Sequence, residues 1–141
     1  MESTQMAKIL IVEDEDELRN AVRRTLEFNG YEVVTVSEGS QAIKAIQDEL
    51  PDLVLTDIFM PGMEGLETIR ALSSSYPDLP IVVMTGSLDP LFIDMSLRFG
   101  AVHGLNKPFS TDELLLVIEQ TLSNKIEPAA AEADASPENQ R

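Results

Sequence analysis

Five polar residues stand where short apolar runs end, and their side chains could do chemistry together. They are the acidic pair Glu13 and Asp14, followed along the chain by Asp57, Thr85 and Lys107. The set combines three carboxylates, a hydroxyl and an ammonium. Carboxylates are ligands for a hard divalent cation, while a lysine and a hydroxyl donor can neutralise charge on phosphoryl oxygens. The residue types therefore favour a divalent cation held beside a phosphoryl group.

The elements that must position these residues form an alternating pattern. Short apolar runs alternate with helical patterns about five times, which predicts an α/β fold with a parallel sheet covered on both faces. Right-handed crossovers restrict the topology, and we expect a doubly wound, flavodoxin-like (βα)₅ fold with strand order 2-1-3-4-5. The carboxyl ends of parallel strands share one edge of the sheet. Glu13 and Asp14 should therefore meet Asp57 at the switch point between strands one and three.

Start and stop signals predict the helices. The capping box from Ser110 to Glu113 begins the last helix, and prolines suit first turns but not helix interiors. The second strand is expected around residues 33–36. The first helix is expected over residues 16–28, ended by Asn29 and Gly30, and the second must end before Pro51. The third has Leu66, Ile69 and Leu72 on its apolar face and is closed by residues 73–77. The fourth is expected from Asp89-Pro90 to Gly100, and the fifth from Ser110.

Composition narrows the class of protein. The 141 residues suffice for one domain with a real core, and 43% are hydrophobic. The formal net charge of −15 disfavours direct binding to nucleic-acid phosphates. The absence of cysteine excludes disulfides and thiolate metal sites, and the single histidine, His103, excludes a multi-histidine metal centre.

The ends of the chain differ from its middle. We expect an N-terminal leader over residues 1–7, one domain over residues 8–124, and a disordered acidic tail or truncated linker over residues 125–141, where apolar bulk is almost absent. The start carries acid instead of a basic signal-peptide region. No window approaches the roughly 20 apolar residues of a membrane span. The expected location is the cytoplasm, without contact to a membrane.

Crowded carboxylates repel one another unless a cation neutralises them. Mg²⁺ is the natural candidate, with Mn²⁺ as an alternative, because it takes oxygen ligands in octahedral geometry. A carboxylate can also attack phosphorus and form an aspartyl-phosphate. Each of these residues also has an alternative interpretation without chemical function. Asp57 could be a turn residue, Thr85 a cap, Lys107 a surface lysine, and Glu13 with Asp14 an acidic helix start.

Four segments together resemble the receiver domain of two-component response regulators, over roughly Lys8 to Ser123. One such segment would be weak evidence for the resemblance, but all four occur in the order and at the spacing that the family shows. The segments are Ile9 to Asp14, Asp57 to Gly65, Met84 to Gly86, and Gly100-Ala101 through Lys107-Pro108-Phe109.

The resemblance implies roles for the residues at the strand ends. Asp57 would accept a phosphoryl group from a phosphohistidine. Asp14 would bind Mg²⁺ directly and Glu13 through water, with Asp57 and the backbone carbonyl of Phe59 completing the protein's ligands. Lys107 would pair with phosphoryl oxygens, in the family often ahead of a cis proline bond. Thr85 would turn to hydrogen-bond the phosphoryl group.

The resemblance also implies partners. The phosphodonor would be a sensor histidine kinase or a histidine phosphotransfer protein. The readout would pass through the fourth helix, fifth strand and fifth helix to a downstream protein. The fourth helix has more apolar residues than one buried face needs, which suits a partner surface or a weak dimer. We expect a stand-alone receiver that is a phosphoacceptor and not an enzyme, or else a fragment of a larger regulator.

Two positions depart from the family pattern. Gly104 stands where members usually carry an aromatic switch residue, three positions before the lysine. Phe59 is bulkier than is common two positions after the phosphoacceptor, and we expect it to shield the acyl-phosphate from water. Gly104 gives some weight to a phosphorylation-independent scaffold. A phosphohydrolase with an aspartyl-phosphate intermediate is a weaker alternative, because Phe59 occupies the position where such enzymes place a second acid.

Overall fold

One parallel sheet of five strands organises the chain. The computed structural model describes residues 6–58 and 65–126. The strand order is β2-β1-β3-β4-β5, which confirms the predicted doubly wound topology. The strands are β1 (Lys8–Val12), β2 (Glu32–Val36), β3 (Leu53–Asp57), β4 (Ile81–Thr85) and β5 (His103–Asn106).

The central strand β1 creates the switch point. It pairs in parallel with β2 on one side and with β3 on the other, so that Ile9 aligns with both Val33 and Leu53. The chain thus leaves β1 in one direction for β2 and returns on its other side for β3. The residues after β1 and at the end of β3 are consequently neighbours at the carboxyl edge, where doubly wound sheets bind ligands.

Five helices cover the sheet, and local signals explain most of their ends. Gly30 has a φ of 94°, a conformation that glycine adopts without strain, and it follows the end of the first helix. Ser110 and Glu113 exchange hydrogen bonds of 3.0 and 2.8 Å, which confirms the predicted capping box. The helices are α1 (Asp16–Phe28), α2 (Gly39–Asp48), α3 (Gly65–Ser75), α4 (Pro90–Phe99) and α5 (Thr111–Ile126).

α3 ends at Ser75, within the segment 73–77 that was predicted to close it. The serines at 73–75 form its last turn, and the Tyr76 N–H bonds to the Leu72 carbonyl just before Pro77. α5 extends to Ile126, the last of the described residues.

Apolar residues of the strands alternate between two core layers, one on each face of the sheet. Ile9 and Ile11 point to α1 and α5, where they join Leu26 and Ile118. Leu10 and its alternate neighbours point to the other face, against α2 and α3. All of these side chains are at most 2% exposed. Each contributes about 1.5–3 kcal/mol by burial, so the layers hold the strand ends rigidly in place.

Within residues 6–58 and 65–126, no helix has both the length and the apolar character that a membrane crossing requires. Residues 1–5 of the predicted leader and residues 127–141 of the predicted tail lie outside the described residues.

Candidate functional site

The three predicted acids lie together at the carboxyl edge of the sheet. Glu13 and Asp14 follow β1, and Asp57 is the last residue of β3. One carboxylate oxygen from each lies within 4.8 Å of the other two. Glu13 and Asp57 are buried, at 1% and 5% exposure, while Asp14 is exposed. Two inner acids and one solvent-facing acid thus form an open acidic cluster.

Lys107 reaches this cluster from the loop after β5. Its Nζ lies 3.0 Å from Glu13 Oε1 and 3.1 Å from Asp57 Oδ2, so one ammonium binds both buried carboxylates. The Lys107 N–H donates to the Thr85 carbonyl at 2.7 Å, which ties the backbone of the loop to β4. The Lys107–Pro108 peptide bond is cis. The reading of Lys107 as an ordinary surface lysine is therefore wrong.

The pKa values of Glu13 and Lys107 depend both on their burial and on the charges around them. Burial raises the pKa of Glu13, and the charge of Asp57 raises it further, while the Glu15 N–H and Lys107 act against this. Burial would lower the pKa of Lys107, but its hydrogen bond to Glu13 and the charge of Asp57 outweigh that effect, and the pKa is raised. The lysine is thus held protonated between two carboxylates, where it can act as a fixed cation.

The turn between β1 and α1 holds Glu13 through its side chain and its backbone. The Glu15 N–H donates to Glu13 Oε2 at 3.0 Å. A guanidinium nitrogen of Arg19 donates to the Glu13 carbonyl at 2.9 Å, and the other binds Asp16 Oδ1 at 2.5 Å. Arg19 therefore closes the turn that presents the acids. The sequence interpretation missed Arg19, although an arginine three residues after Asp16 on a helix is a local signal for such a pair.

Thr85 ends β4 beside the cluster and is fully buried. Its Oγ1 accepts a hydrogen bond from the Ser87 N–H at 3.0 Å. Thr85 is therefore not the helix cap considered for it, since Asp89 caps α4, and its hydroxyl instead closes a local turn. It leaves the hydroxyl at the same sheet edge as Asp57, since β4 pairs directly with β3.

Ile93 was a second residue that the sequence interpretation missed. Gly104 lies on β5, and a Cβ built on it would come within 2.7 Å of Ile93 Cγ2 on α4. The space in which a side chain at position 104 would begin is therefore occupied by α4 itself.

Phe59, whose carbonyl was expected to bind metal, lies outside the described residues.

The site is chemically suited to a hard divalent cation. Three carboxylates with oxygens this close repel one another, and a cation with oxygen ligands relieves that repulsion. The exposed Asp14 leaves the cluster open to solvent, as Mg²⁺ requires because it keeps several of its waters. Glu13, Asp14 and Asp57 thus fit such an ion by donor type and by spacing.

The fold and the site together define a flavodoxin-like α/β protein with an acidic, lysine-bridged pocket at its switch point. The family model described as "Response regulator receiver domain" matches residues 9–119. The chain belongs to this family, and it is a receiver domain of the two-component type. Receiver domains bind Mg²⁺ through such acidic residues, and response regulators interact with histidine kinases and with downstream effectors.

Individual relatives agree with this assignment. The response regulator MprA of Mycolicibacterium vanbaalenii is 41% identical over 108 residues, covering 77% of this chain and 47% of MprA. The CheY-like receiver domain protein of Methanospirillum hungatei has a TM-score of 0.84 at 29% identity, covering 88% and 99% of the two chains. CheY4 of Vibrio cholerae has a TM-score of 0.78 at 34% identity, and the match covers 83% of this chain and 99% of CheY4. The chain spans about half the length of the MprA relatives it matches.

Proposed function

We propose that this receiver accepts a phosphoryl group on Asp57 from the phosphohistidine of a sensor kinase or a histidine phosphotransfer protein. The observation that carries the proposal is the ammonium of Lys107, which bridges Asp57 Oδ2 and Glu13 Oε1 at 3.1 and 3.0 Å beside the exposed Asp14. This arrangement supports the proposal, because a carboxylate that can act as a nucleophile, a fixed cation and candidate metal ligands lie close together.

The transfer exchanges one bond for another. A carboxylate oxygen of Asp57 attacks phosphorus, an O–P bond forms, and the N–P bond to the donor histidine breaks with its electron pair returning to the imidazole. Lys107 then pairs with an oxygen of the transferred group, and the Thr85 hydroxyl donates to another. Both interactions neutralise charge that develops on the phosphoryl oxygens.

Glu13, Asp14 and Asp57 are the described residues that would hold Mg²⁺, or Mn²⁺ in its place. The ion would supply charge neutralisation between the buried carboxylates and the incoming phosphoryl group. Asp14 is the ligand most accessible from solvent, whereas Glu13 is held by the Glu15 N–H and Lys107. The protein acts on its own Asp57, and we propose no turnover of an external substrate.

The output would pass through the face formed by α4, β5 and α5. Apolar side chains on and beside these elements are exposed, which is the character of a surface that binds another protein. This face would bind a downstream partner, or a second copy in a weak dimer. The exposed side chains are Leu91 (53%), Leu97 (41%), Val102 (47%) and Leu116 (55%).

Intact-protein mass spectrometry after incubation with acetyl phosphate and Mg²⁺ tests the proposal. We expect one phosphoryl adduct in the wild type, none in Asp57→Asn, and none when EDTA removes the metal. Asp78→Asn is the matched control, because Asp78 is exposed at the opposite edge of the sheet. It should keep the adduct.

An adduct that persists in Asp57→Asn would refute the assignment of the phosphoacceptor. The absence of any adduct in the wild type, with both acetyl phosphate and a phosphorylated histidine phosphotransfer protein, would favour the phosphorylation-independent scaffold. The contact of Ile93 with Gly104 is the observation that supports this second function, because it replaces the usual aromatic residue with a directly packed helix.

A further inference from the structure

A pocket of about 750 Å³ lies at the amino edge of the sheet, at the opposite end of the strands from Asp57 and Lys107. Its walls come from the loop before β4, the loop before β5 and the second half of α5. Pockets of roughly 300–1,000 Å³ have the size that binds small molecules. We call it the amino-edge pocket, and its lining includes Pro77, Leu79, Val102, His103, Thr121 and Asn124.

One lining residue carries a buried hydroxyl without a partner. Thr121 is 3% exposed, and its Oγ1 makes no hydrogen bond within residues 6–58 and 65–126. Buried polar side chains are nearly always paired, because an unpaired one loses its hydrogen bonds to water and gains none in return. A ligand with a hydrogen-bonding group in the pocket would supply the missing partner.

Two further polar side chains border the same space. Asn124 follows Thr121 by three positions on α5, so the two lie on one face of the helix. His103 begins β5 and is partly buried. A hydroxyl, an amide oxygen and an imidazole nitrogen can each accept a hydrogen bond. The pocket therefore offers several acceptors to a group that donates more than one hydrogen bond.

Much of the remaining wall is apolar. Pro77 and Leu79 precede β4, and Val102 precedes β5 with 47% of its surface exposed. An exposed valine in a concave site favours an apolar neighbour, since contact with it removes that surface from water. A ligand that fits the pocket therefore has an apolar body as well as a hydrogen-bonding head.

The charges around the pocket favour a cation. Gly100 lines the pocket and is the C-cap of α4, so the negative end of the helix dipole lies beside it. In the described part of the chain, no lysine or arginine lines the pocket, and Arg98 in the last turn of α4 is exposed outside it. Glu119 lines an adjoining groove that shares His103 and Asn124. The net charge of −15 also attracts cations and repels anions over a longer range.

We propose that the amino-edge pocket binds a small organic amine, a molecule with an ammonium head and an apolar body. The ammonium donates to Thr121 Oγ1 and to the side-chain oxygen of Asn124, which gives the buried hydroxyl its partner. The apolar body packs against Leu79 and Val102. This site is separate from the acidic cluster, so the proposal does not depend on phosphorylation of Asp57.

A titration of the full chain, followed by amide chemical shifts, tests the proposal. Tryptamine is the probe, and Mg²⁺ is present to occupy the acidic cluster. We expect saturable shifts at Val102, Thr121 and Asn124, with a dissociation constant on the order of 1 mM for a probe of this size. Tryptophol, in which a hydroxyl replaces the ammonium, should bind about fivefold more weakly, because it loses a charge-assisted hydrogen bond. The anion indole-3-acetate should produce no saturable shifts.

Thr121→Val separates a contact with the ligand from a structural role. It keeps the shape of the side chain and removes the hydroxyl, so tryptamine should bind about fivefold more weakly. The melting temperature without ligand should stay the same or rise, because the hydroxyl has no partner to lose. Asn124→Leu, at an exposed position, should weaken tryptamine about two- to fivefold. Thr111→Val, at the other end of α5, is the matched control and should keep the wild-type affinity.

Equal affinity of wild type and Thr121→Val for tryptamine would overturn the inference. A lower melting temperature of that variant would then show that the hydroxyl is already paired in the free protein. Tryptophol or indole-3-acetate binding as tightly as tryptamine would refute the preference for an amine. Shifts confined to Asp14 and Asp57 would place the probe at the acidic cluster, and the absence of saturable shifts up to about 20 mM would rule out the site.

Discussion

The ammonium of Lys107 lies 3.1 Å from the carboxylate of Asp57, although 50 positions separate the two residues in the chain. The same nitrogen lies 3.0 Å from Glu13, 94 positions away. One cation thus joins the ends of β1, β3 and β5 across the switch point. In the resting protein this lysine neutralises part of the charge that a divalent ion would neutralise after binding.

Lys107→Met should make the protein more dependent on Mg²⁺ for its stability. Without the lysine, buried Glu13 loses a charged partner, and we expect the free energy of unfolding without metal to fall by about 1–3 kcal/mol. Mg²⁺ should then stabilise the variant more than the wild type, which urea unfolding with and without the ion measures. Lys44→Met, at an exposed position of α2, is the control. Equal stabilisation of Lys107→Met and wild type by Mg²⁺ would contradict the prediction.

Asp14→Asn should weaken metal binding without harming the fold. Asp14 is exposed and contributes one carboxylate to the cluster, so the substitution removes charge from a ligand but leaves the core layers intact. We expect the Mg²⁺ affinity to fall at least about tenfold, since even indirect partners of metal ligands have effects of this size. Isothermal titration with Mg²⁺ measures it. Glu17→Gln, equally exposed in the first turn of α1, should keep the wild-type affinity, and an unchanged affinity in Asp14→Asn would exclude it as a ligand.

Arg19→Gln should destabilise the turn that carries the acids. The guanidinium donates to the Glu13 carbonyl at 2.9 Å, a bond to a partly buried group, and we expect a loss of about 0.5–1.5 kcal/mol. Arg23→Gln on the same helix breaks only the exposed pair with Glu27 and should cost about 0.3–0.5 kcal/mol. Chemical unfolding of the two variants provides the comparison. A smaller loss for Arg19→Gln than for Arg23→Gln would show that the turn does not depend on this arginine.

Gly65→Ala should disturb the region that follows Asp57. A Cβ at Gly65 would come within 1.8 Å of the Ile58 carbonyl oxygen, so the backbone after β3 must shift to admit it. We expect a destabilisation of about 1–3 kcal/mol, as for other overpacked sites, and a slower phosphorylation of Asp57. Gly86→Ala is the control, because a Cβ there meets nothing within 4 Å. Thermal unfolding that ranks the two variants equally would be inconsistent with the close approach.

Local patterns in the sequence were sufficient for the elements and for most of the site. Apolar runs predicted the strands, the capping box from Ser110 predicted the start of α5, and Asn29 with Gly30 predicted the end of α1. Each of these signals acts within a few residues, so it can be read without knowing the fold. The convergence of Glu13, Asp14 and Asp57 followed as well, because the strand order of a doubly wound sheet sets which strand ends are neighbours.

Other contacts were decided only by the tertiary structure. The sequence placed Lys107 at the right edge of the sheet, but its binding to both Glu13 and Asp57 depends on where the loop after β5 lies. Likewise, Gly104 could be recognised as a departure, while the occupation of its space by Ile93 required the packing of α4 on β5. Local hydrogen bonds and periodicity are encoded over short stretches of chain. Contacts between distant residues depend on how whole elements pack, and no single stretch contains that information.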